Sequence, residues 1–223
     1  MTTTKLQAPV EPVPEPRKSR KNNPEKTRED ILQAAVNEFV EQGLAGARVD
    51  AIAERTHTSK RMIYYYFNSK EQLYVEVLEK LYGDIRGTES NLHLEELEPL
   101  EGIRRLVEFC FDHHDRNVGF VRIVCNENMH KGEFIKQSSA IRSMNTTVLN
   151  ALDELLRRGA DQGVFRPGLT ALDVHLLINS FCFYRVSNQH TFGEIFQVDF
   201  ADPQLKAHHR DMLCESLTRF LKP

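Results

Sequence analysis

Hydrophobic residues recur at helical spacing along most of this 223-residue chain and divide it into a series of amphipathic helices. The first helix is predicted from Pro24 to about Gln42, with Gly43 as its stop. Its apolar residues follow the i, i+3, i+4 pattern that forms one face of a helix. They are Ile31, Leu32, Ala35, Val36 and Phe39.

Two much shorter helices are predicted next, with a tight turn between them. Residues 56–59 interrupt the apolar pattern, and Thr58 or Ser59 can cap the helix that follows. Each short helix has one apolar face that must pack against a core. The residues on these faces are Val49, Ile52 and Ala53 in the first helix, and Ile63 and Phe67 in the second.

The longer segments downstream are also predicted to be helical, and no strand pattern competes with them. Residues 87–99 separate them as an acidic, weakly structured connection. Thr170 and Asp173 form a capping box for one helix, and Asp202-Pro203 opens the last one. The predicted helices cover residues 69–85, 102–116, 117–130, 141–161 (stopped by Gly163), 171–188, and a final segment from 203. The fold class is therefore all-α.

The outward face of the second short helix is unusual for a surface that meets only water. On a wheel of ~100° per residue, Arg61, Tyr64 and Tyr65 lie opposite the core positions, with Lys60 and Met62 at the flanks. Tyrosine hydroxyls and a guanidinium can reach phosphate oxygens and base edges, and the rings can contact thymine methyl groups. This combination indicates DNA binding.

Lys70 is a second indication of DNA binding. It follows a capping Asn68 or Ser69, in the first turn of the next helix, where the dipole disfavours a cation by ~0.3–1 kcal/mol. A phosphate docked at that N-terminus would bind both the backbone N–H groups and the ammonium. A tolerated surface lysine explains Lys70 alone, but DNA contact is the stronger interpretation beside the tyrosine–arginine face.

Residues 25–82 resemble the N-terminal DNA-binding domain of the TetR family of bacterial transcriptional regulators. The matching segments are TREDILQAAVNEFVEQG, ARVDAIAER and TSKRMIYYYFNSKEQLYVEVL. The most specific part is the pattern Tyr-x-x-Phe-x-Ser-Lys-Glu-x-Leu over residues 64–73. One departure lies in the turn, where the family has Gly-Val-Ser and this chain has His57-Thr58-Ser59. Histidine adopts left-handed backbone angles less easily than glycine, so the pattern fits least well here.

The resemblance implies a ligand-responsive transcriptional repressor that binds a palindromic, double-stranded DNA operator as a homodimer. Two recognition helices would enter successive major grooves ~34–36 Å apart. An effector would lower operator affinity, through the fourth helix, by favouring a form with wrongly spaced DNA-binding units. The predicted DNA contacts are Lys60, Arg61, Tyr64 and Tyr65 at the groove, and Arg48, Tyr66 and Lys70 at phosphates. Thr58, Ser59 and Met62 are further predicted DNA-binding residues, without an assignment to groove or phosphate.

The helix predicted at 171–188 is apolar on more than one face, which is more than a surface helix needs. Burial within the monomer would explain the surplus. In the resembled family, however, the last two helices pair with their symmetry mates as a four-helix bundle. We therefore expect a homodimer through the last two helices. The apolar residues are Leu176, Leu177, Ile178, Phe181, Cys182, Phe183 and Val186.

By analogy with the family, the effector pocket would lie between the fourth helix and the helices from 102 to 188. The C-terminal half also resembles regulators of aromatic and heteroaromatic acid catabolism, which makes an aromatic acid one candidate effector. Arg122 is the residue expected to meet an anionic ligand. The candidate polar groups are His113, Arg122, Asn126, Asn145, Tyr184 and Asn188, and the candidate apolar walls are Phe109, Phe134 and Phe181. Ordinary packing or surface exposure explains each residue better when it is taken alone.

The charge of the chain is unevenly distributed. The net charge is −3, yet the first 70 residues hold 12 Lys and Arg against 9 Asp and Glu. This asymmetry fits DNA contact at one end.

Residues 1–23 contain four prolines and a basic cluster, which predicts a disordered arm that is either a solvated tail or lies along DNA. The predicted division is this arm, a helix-turn-helix domain at 24–68, and a helical ligand-binding and dimerisation domain at 69–223.

Several function classes are disfavoured. No apolar run could span a bilayer and no signal peptide is apparent, so a cytoplasmic protein without a membrane partner is expected. Four scattered cysteines predict reduced thiols, and the histidine pairs 113–114 and 208–209 point to different helix faces, so neither a metal nor another cofactor is expected. Enzymatic motifs are absent, so we predict no catalytic activity. The alternatives are a helical metal sensor or enzyme that uses the histidines, and a protein–protein adaptor.

Overall fold

The computed structural model describes residues 23–223, which form ten α-helices and two short 3-10 helices. The helices are α1 (Pro24–Gly46), α2 (Val49–Arg55), α3 (Lys60–Phe67), α4 (Lys70–Ser90), α5 (Pro99–Arg116), α6 (Val118–Met129), α7 (Ser139–Asp161), α8 (Ala171–Ser187), α9 (Gln189–Phe196) and α10 (Pro203–Leu221). No strand occurs among these residues, and the all-α prediction is confirmed. The predicted N-terminal arm lies outside the described residues, apart from Asn23, which caps α1.

Helices α1, α2 and α3 form a headpiece around a core of their own. Ile31 and Phe39 of α1 meet Ile52 of α2 and Ile63 and Phe67 of α3, and all five side chains are at most 1% exposed. The predicted stop at position 43 is seen as a break, because Gly43 has φ 65° and ψ 175°. The chain then makes one further turn to the end of α1.

A second core joins the C-terminal helices. Val107 of α5, Leu152 of α7, Ile178 of α8 and Leu217 of α10 are all buried within it. The predicted ends of these helices agree with the structure to within about three residues. Thr170 Oγ1 accepts a hydrogen bond from Asp173 N at 3.1 Å, as expected for the capping box.

Helix α4 belongs to both halves of the molecule. Tyr74 and Leu78 are buried in the headpiece core, whereas Ile85, further along the same helix, packs with Phe120 and Val121 of α6. The headpiece core also includes Ile123 and Ile141, so it extends into α6 and α7. Because one helix supplies residues to both cores, a movement of its C-terminal half reaches the headpiece directly.

The connection at residues 87–99 is more ordered than its composition predicts. Helix α4 continues to Ser90, and a 3-10 helix covers Leu94–Glu96. Arg158 of α7 fixes this segment, since its Nη1 and Nη2 donate to the carbonyl oxygens of Leu97 and Leu94 at 2.9 and 2.8 Å. The weakly structured connection predicted here is therefore wrong, because a distant arginine satisfies its backbone.

Helix α9 was not predicted from the sequence. It follows α8 after Asn188 and none of its residues is buried, so its apolar residues do not mark a core face. Phe192 instead packs on Phe196 and Phe200, with ring centroids 4.4 and 5.6 Å apart. None of the helices at residues 23–223 has an apolar stretch of the length that a bilayer requires.

Close packing in the C-terminal core gives a prediction about two glycines. At Gly159 in α7 a Cβ atom would lie 1.9 Å from Cδ2 of the buried Phe165, whereas at Gly87 in α4 it would meet nothing within 4 Å. We expect Gly159→Ala to lower the free energy of unfolding by about 1–3 kcal/mol through overpacking. Gly87→Ala should leave it unchanged or raise it by up to about 1 kcal/mol, because alanine is the better helix former. Urea unfolding of both variants measures the difference, and equal stabilities would contradict this account of the packing.

Candidate nucleic-acid interface and effector region

The turn between α2 and α3 is closed by hydrogen bonds from its own short side chains and backbone. Thr58 N donates to Ala53 O at 3.0 Å, and Ser59 Oγ accepts from Met62 N at 3.3 Å as the N-cap of α3. His57 has φ 51°, which is the left-handed conformation in which the family pattern has glycine. The turn therefore forms with histidine, and His57 itself is exposed.

The outward face of α3 contains the residues that the helical wheel placed there. Tyr64 and Tyr65 are 44% and 75% exposed, and Arg61 is exposed, whereas Ile63 and Phe67 are buried. Of the remaining predicted contacts on this helix, Lys60 is also exposed and two are less open. Met62 and Tyr66 are half-buried, and the Tyr66 ring lies edge-on to that of Tyr65 with centroids 5.3 Å apart.

Asp50 of α2 lies between two of the predicted cationic contacts. Its Oδ1 is 2.6 Å from Lys60 Nζ, and its Oδ2 is 3.9 Å from Arg48 Nη2. All three side chains are at least 40% exposed, so solvent screens these pairs. A DNA phosphate would have to compete with Asp50 for these cations. The sequence analysis missed this carboxylate.

Lys70 has a partner that the sequence could not reveal. It is the first residue of α4, directly after the N-cap Ser69, and its Nζ lies 3.5 Å from the carbonyl oxygen of Ala45. Ala45 lies in the single turn that follows the break at Gly43. Lys70 therefore has an acceptor within the protein, although it lies at the end of α4 where the helix dipole disfavours a cation. A phosphate contact by Lys70 stays a prediction.

A buried glutamate fixes the headpiece helices relative to each other. Glu38 of α1 is 3% exposed, and its Oε1 accepts from the backbone N–H of Arg48 at 3.0 Å. Its Oε2 lies 3.2 Å from Arg55 Nη1, while Arg55 Nη2 donates to the exposed Glu41 at 3.0 Å. Glu38 thus holds both ends of α2 against α1. Glu38 stands between Asn37 and Phe39, and no sequence pattern singled it out.

The nine residues predicted for an effector pocket do not come together. Each helix directs its candidates towards different neighbours. The prediction of a single pocket lined by all nine residues is therefore corrected, because they lie in several separate places. Arg122 and Asn126 line a cleft of about 420 Å³ between α1, α6 and α8. Phe109 and His113 line a groove of about 440 Å³ between α4 and α5.

The other five candidates lie elsewhere. Phe181, Tyr184 and Asn188 line an apolar cavity of about 410 Å³ between α8, α9 and α10. Phe134 packs on Tyr74 beside the headpiece core, with ring centroids 5.4 Å apart. Asn145 Nδ2 donates to Ile141 O on its own helix at 2.8 Å. These two residues are better explained by structural roles.

Potential metal ligands come together at one place on the surface. Within residues 23–223, one group of such side chains lies close together, namely His93, Glu95 and Glu96, and all three are exposed. Exposed acidic groups of this kind are common on protein surfaces, so the group is not assigned as a site. All four cysteines are free thiols, and Cys110 and Cys182 are buried.

Two family models match the chain. The model described as "Bacterial regulatory proteins, tetR family" matches residues 31–77, which cover α2, α3, most of α1 and the start of α4. The model described as "Tetracyclin repressor-like, C-terminal domain" matches residues 99–217, from α5 into α10. The two matches together cover most of both cores.

Individual proteins are similar over most of the chain. The HTH-type transcriptional repressor NicS of Pseudomonas putida is 34% identical over 203 residues, which are 91% of this chain and 96% of that protein. The HTH-type transcriptional repressor SCO4008 of Streptomyces coelicolor is 30% identical over 156 residues, which are 70% of this chain and 76% of that protein. The crystal structure of the putative transcriptional regulator SCO4942 from Streptomyces coelicolor has a TM-score of 0.66 at 27% identity, covering 88% of this chain and 99% of that one.

The role of Glu38 can be tested against its exposed neighbour. Glu38→Ala leaves a backbone N–H and a guanidinium without their buried acceptor, so we expect it to lower the free energy of unfolding by about 1–3 kcal/mol. Glu41→Ala removes only a solvent-exposed ion pair and should cost less than about 1 kcal/mol. Chemical denaturation of the two variants measures both effects. A cost for Glu38→Ala no larger than that for Glu41→Ala would show that Glu38 does not hold α2.

Proposed function

Because the chain belongs to the TetR family of bacterial regulatory proteins, whose members are ligand-responsive DNA-binding repressors, we propose that it represses transcription by binding a palindromic operator as a homodimer. It is a transcriptional regulator and not an enzyme, as the sequence predicted. The observation that carries the proposal is the exposed face of α3, where Arg61, Tyr64 and Tyr65 point away from the core. We also propose the cytoplasm as its location, since its DNA partner is there.

We assign the DNA-reading unit to residues 24–68. Arg61, Tyr64 and Tyr65 would contact base edges in the major groove, since their side chains are exposed on the face of α3 opposite Ile63 and Phe67. The two ends of the unit supply phosphate contacts. Arg48 is 74% exposed, and the ammonium of Lys70 is held beside the last turn of α1. These cations would fix the orientation of α3 on the duplex without reading sequence.

Dimerisation through α8 and α10 is supported by their exposed apolar side chains. Leu172 and Leu176 of α8 are 62% and 64% exposed, and Met212 and Phe220 of α10 are 38% and 39% exposed. Exposed apolar side chains on two neighbouring helices are typical of a surface that a partner covers. A two-fold axis would pair this surface with itself and place two copies of α3 for the two halves of a palindrome.

The helices α5 to α10 are called the effector domain here. Two connections can carry a change in this domain to the headpiece. The first is α4, which is separated from α3 only by Asn68 and Ser69. The second is the close approach of α1 and α6, where a Cβ at Gly43 would lie 2.5 Å from Asn126 Nδ2. An effector would lower operator affinity if it bound the form with wrongly spaced headpieces more tightly than the DNA-binding form. The size of this effect is limited by the difference between its affinities for the two forms.

The DNA-binding face is tested with operator DNA found by sequencing the genomic fragments that the purified full chain retains. Tyr64→Ala should weaken binding to the recovered palindrome by about 1–3 kcal/mol, with little effect on unrelated DNA, because it removes base contacts. Lys70→Ala should weaken binding to all sequences and reduce the salt slope by ~1, because it removes one phosphate contact. Fluorescence anisotropy at several salt concentrations measures both effects.

Lys222→Ala serves as the matched control, since Lys222 is an exposed lysine at the far end of the chain, after α10. It should bind operator DNA like the wild type. If Tyr64→Ala and Lys70→Ala also bind like the wild type, the assignment of the α3 face to DNA is refuted.

The dimer surface is tested with a pair of leucines. Leu176→Glu places a charge in the middle of the proposed α8–α10 interface and should convert the dimer to monomer while the fold is kept, because Leu176 is 64% exposed. Leu100→Glu is the control, since Leu100 is 41% exposed on α5, outside this surface. Sedimentation equilibrium gives the mass of each variant. An unchanged dimer in Leu176→Glu would place the interface elsewhere.

A further inference from the structure

The apolar cavity of about 410 Å³ between α8, α9 and α10 is surrounded by aromatic rings. Five rings follow one another around it, with neighbouring centroids 5.6 to 6.4 Å apart. The first and the last of them lie three positions apart on α8, so they face the same side of that helix and complete the circle. In order, the rings belong to Phe181, His209, Phe200, Phe192 and Tyr184. These five residues are called the aromatic cage.

The rings of the aromatic cage are not buried in the core. Tyr184 is 55% exposed and the other four residues are half-buried. They contact each other around a space instead of filling it. A cavity of this volume with apolar walls and a few polar groups is the usual composition of a small-molecule site.

A buried arginine also lines this cavity. The side chain of Arg185 is only 5% exposed, and its Nη1 donates to Asp115 Oδ1 of α5 at 2.7 Å. Its Nη2 donates to the carbonyl oxygen of Phe200 at 2.8 Å, which holds this part of the cage beside α8. A guanidinium has five N–H donors. With its contact to His209, Arg185 uses three of them within residues 23–223, so two remain for a ligand.

The contact between Arg185 and His209 determines which nitrogen of the histidine carries its proton. Arg185 Nε donates to His209 Nδ1 at 3.4 Å, so the neutral ring has its proton on Nε2. Burial and the Arg185 charge lower the pKa of His209, which keeps the ring neutral at physiological pH. His209 lines the cavity and therefore adds one N–H donor to its apolar walls.

The charges beside the cage do not cancel. Asp115 is the carboxylate that Arg185 contacts, and its other oxygen, Oδ2, lies 2.8 Å from Lys206 Nζ of α10. Because two cations share one carboxylate, the buried charge of Arg185 is only partly compensated. A buried charge without a full partner is costly, so an anion bound in the cavity would be stabilised by Arg185.

The cavity opens on the surface proposed for dimerisation. Ser180, Tyr184 and Met212 line it and are exposed. Ser180 and Tyr184 continue the spacing of four residues that begins with Leu172 and Leu176 on α8, so these side chains share one face. A second copy of the chain packed on this face would cover the mouth of the cavity.

We propose that the aromatic cage binds an apolar monocarboxylate, and that the partner subunit of the proposed dimer closes its mouth. The carboxylate would accept from the two remaining N–H groups of Arg185 and from His209 Nε2–H, and the apolar body would lie against the rings. Because the partner covers the bound molecule, ligand binding and dimerisation should strengthen each other. This coupling rests on the proposed function, which supplies the dimer, whereas the binding site does not.

The chemistry is tested by calorimetric titration of the full-length chain with two acids and their amides. Benzoate and hexanoate place the same carboxylate on a ring and on a chain, and benzamide and hexanamide keep each shape without the charge. At least one acid should bind saturably, and the tighter acid shows whether the apolar body is a ring or a chain. Its amide should bind at least about tenfold more weakly, because the charge-assisted hydrogen bonds to Arg185 are lost. Binding of neither acid, or equal binding of acid and amide, would overturn the assignment.

The location is tested with two alanine variants of α9. Phe192→Ala removes one cage ring, and the fold should be kept because none of the residues of α9 is buried. Affinity for the tighter acid should fall at least about tenfold, since the apolar contact with that ring is lost. Ile195→Ala is the matched control, because Ile195 is 71% exposed on the same helix and does not line the cavity. Acid binding by Phe192→Ala at the affinity of Ile195→Ala would overturn the site.

The role of charge is tested with Lys206→Met, which leaves the lining of the cavity unchanged. Asp115 then compensates Arg185 alone, so affinity for the acid should fall by about threefold. Affinity for the amide should not change. An equal loss for acid and amide would contradict the charge argument.

The closure by the partner subunit is tested by sedimentation equilibrium of the full-length chain with and without the tighter acid. The acid should lower the dissociation constant of the dimer, and an unchanged constant would overturn the closure. The proposed function fails on a different result, namely that the chain retains no specific DNA or is monomeric. Calorimetry with the Phe192→Ala and Ile195→Ala variants decides the binding site in either case.

Discussion

The burial of α4 along two different cores is the constraint on which the rest of the structure depends. Helices α2 and α3 have seven and eight residues, which is too short for either to be stable alone in water. They are held because Ile63 and Phe67 pack into a core that α1 and α4 complete. The same α4 then continues beneath α6 and ends beside the effector domain. The recognition helix therefore takes its position from a helix that also packs against α6.

The contact between α1 and α6 limits how freely the two halves can move. Gly43 and Gly119 allow these helices to approach closely, since a Cβ at Gly119 would lie 3.2 Å from Val40. Nearby, Glu127 accepts hydrogen bonds from the backbone N–H groups of Phe134 and Ile135, both at 2.8 Å, and holds the α6–α7 connection against the headpiece. Burial and the charge of Glu127 raise the pKa of Tyr74 well above its ordinary value, so its hydroxyl stays protonated. The headpiece is therefore packed against α6 through α1, and α4 also packs against α6.

Sequence patterns predicted the features that depend on neighbours along the chain. The periodicity of α3 separated Ile63 and Phe67 from Tyr64 and Tyr65 correctly, and the caps at Ser59 and Thr170 follow from local side-chain chemistry. Features that depend on distant residues were missed. The partner of Lys70 is a carbonyl 25 positions earlier, and the 87–99 connection is fixed by an arginine of α7. The effector candidates were predicted only from their helix and residue type. Periodicity alone does not fix the rotation of each helix about its axis. In the structure, these rotations turn the candidates towards different neighbours.

The free-energy cost of burying the Arg86–Glu89 ion pair falls on α4. Arg86 and Glu89 lie on the helix that leads directly to α3, about four turns from its start. An apolar pair would pack there at lower cost. This cost falls on the helix that sets the position of α3, because only Asn68 and Ser69 separate α4 from α3.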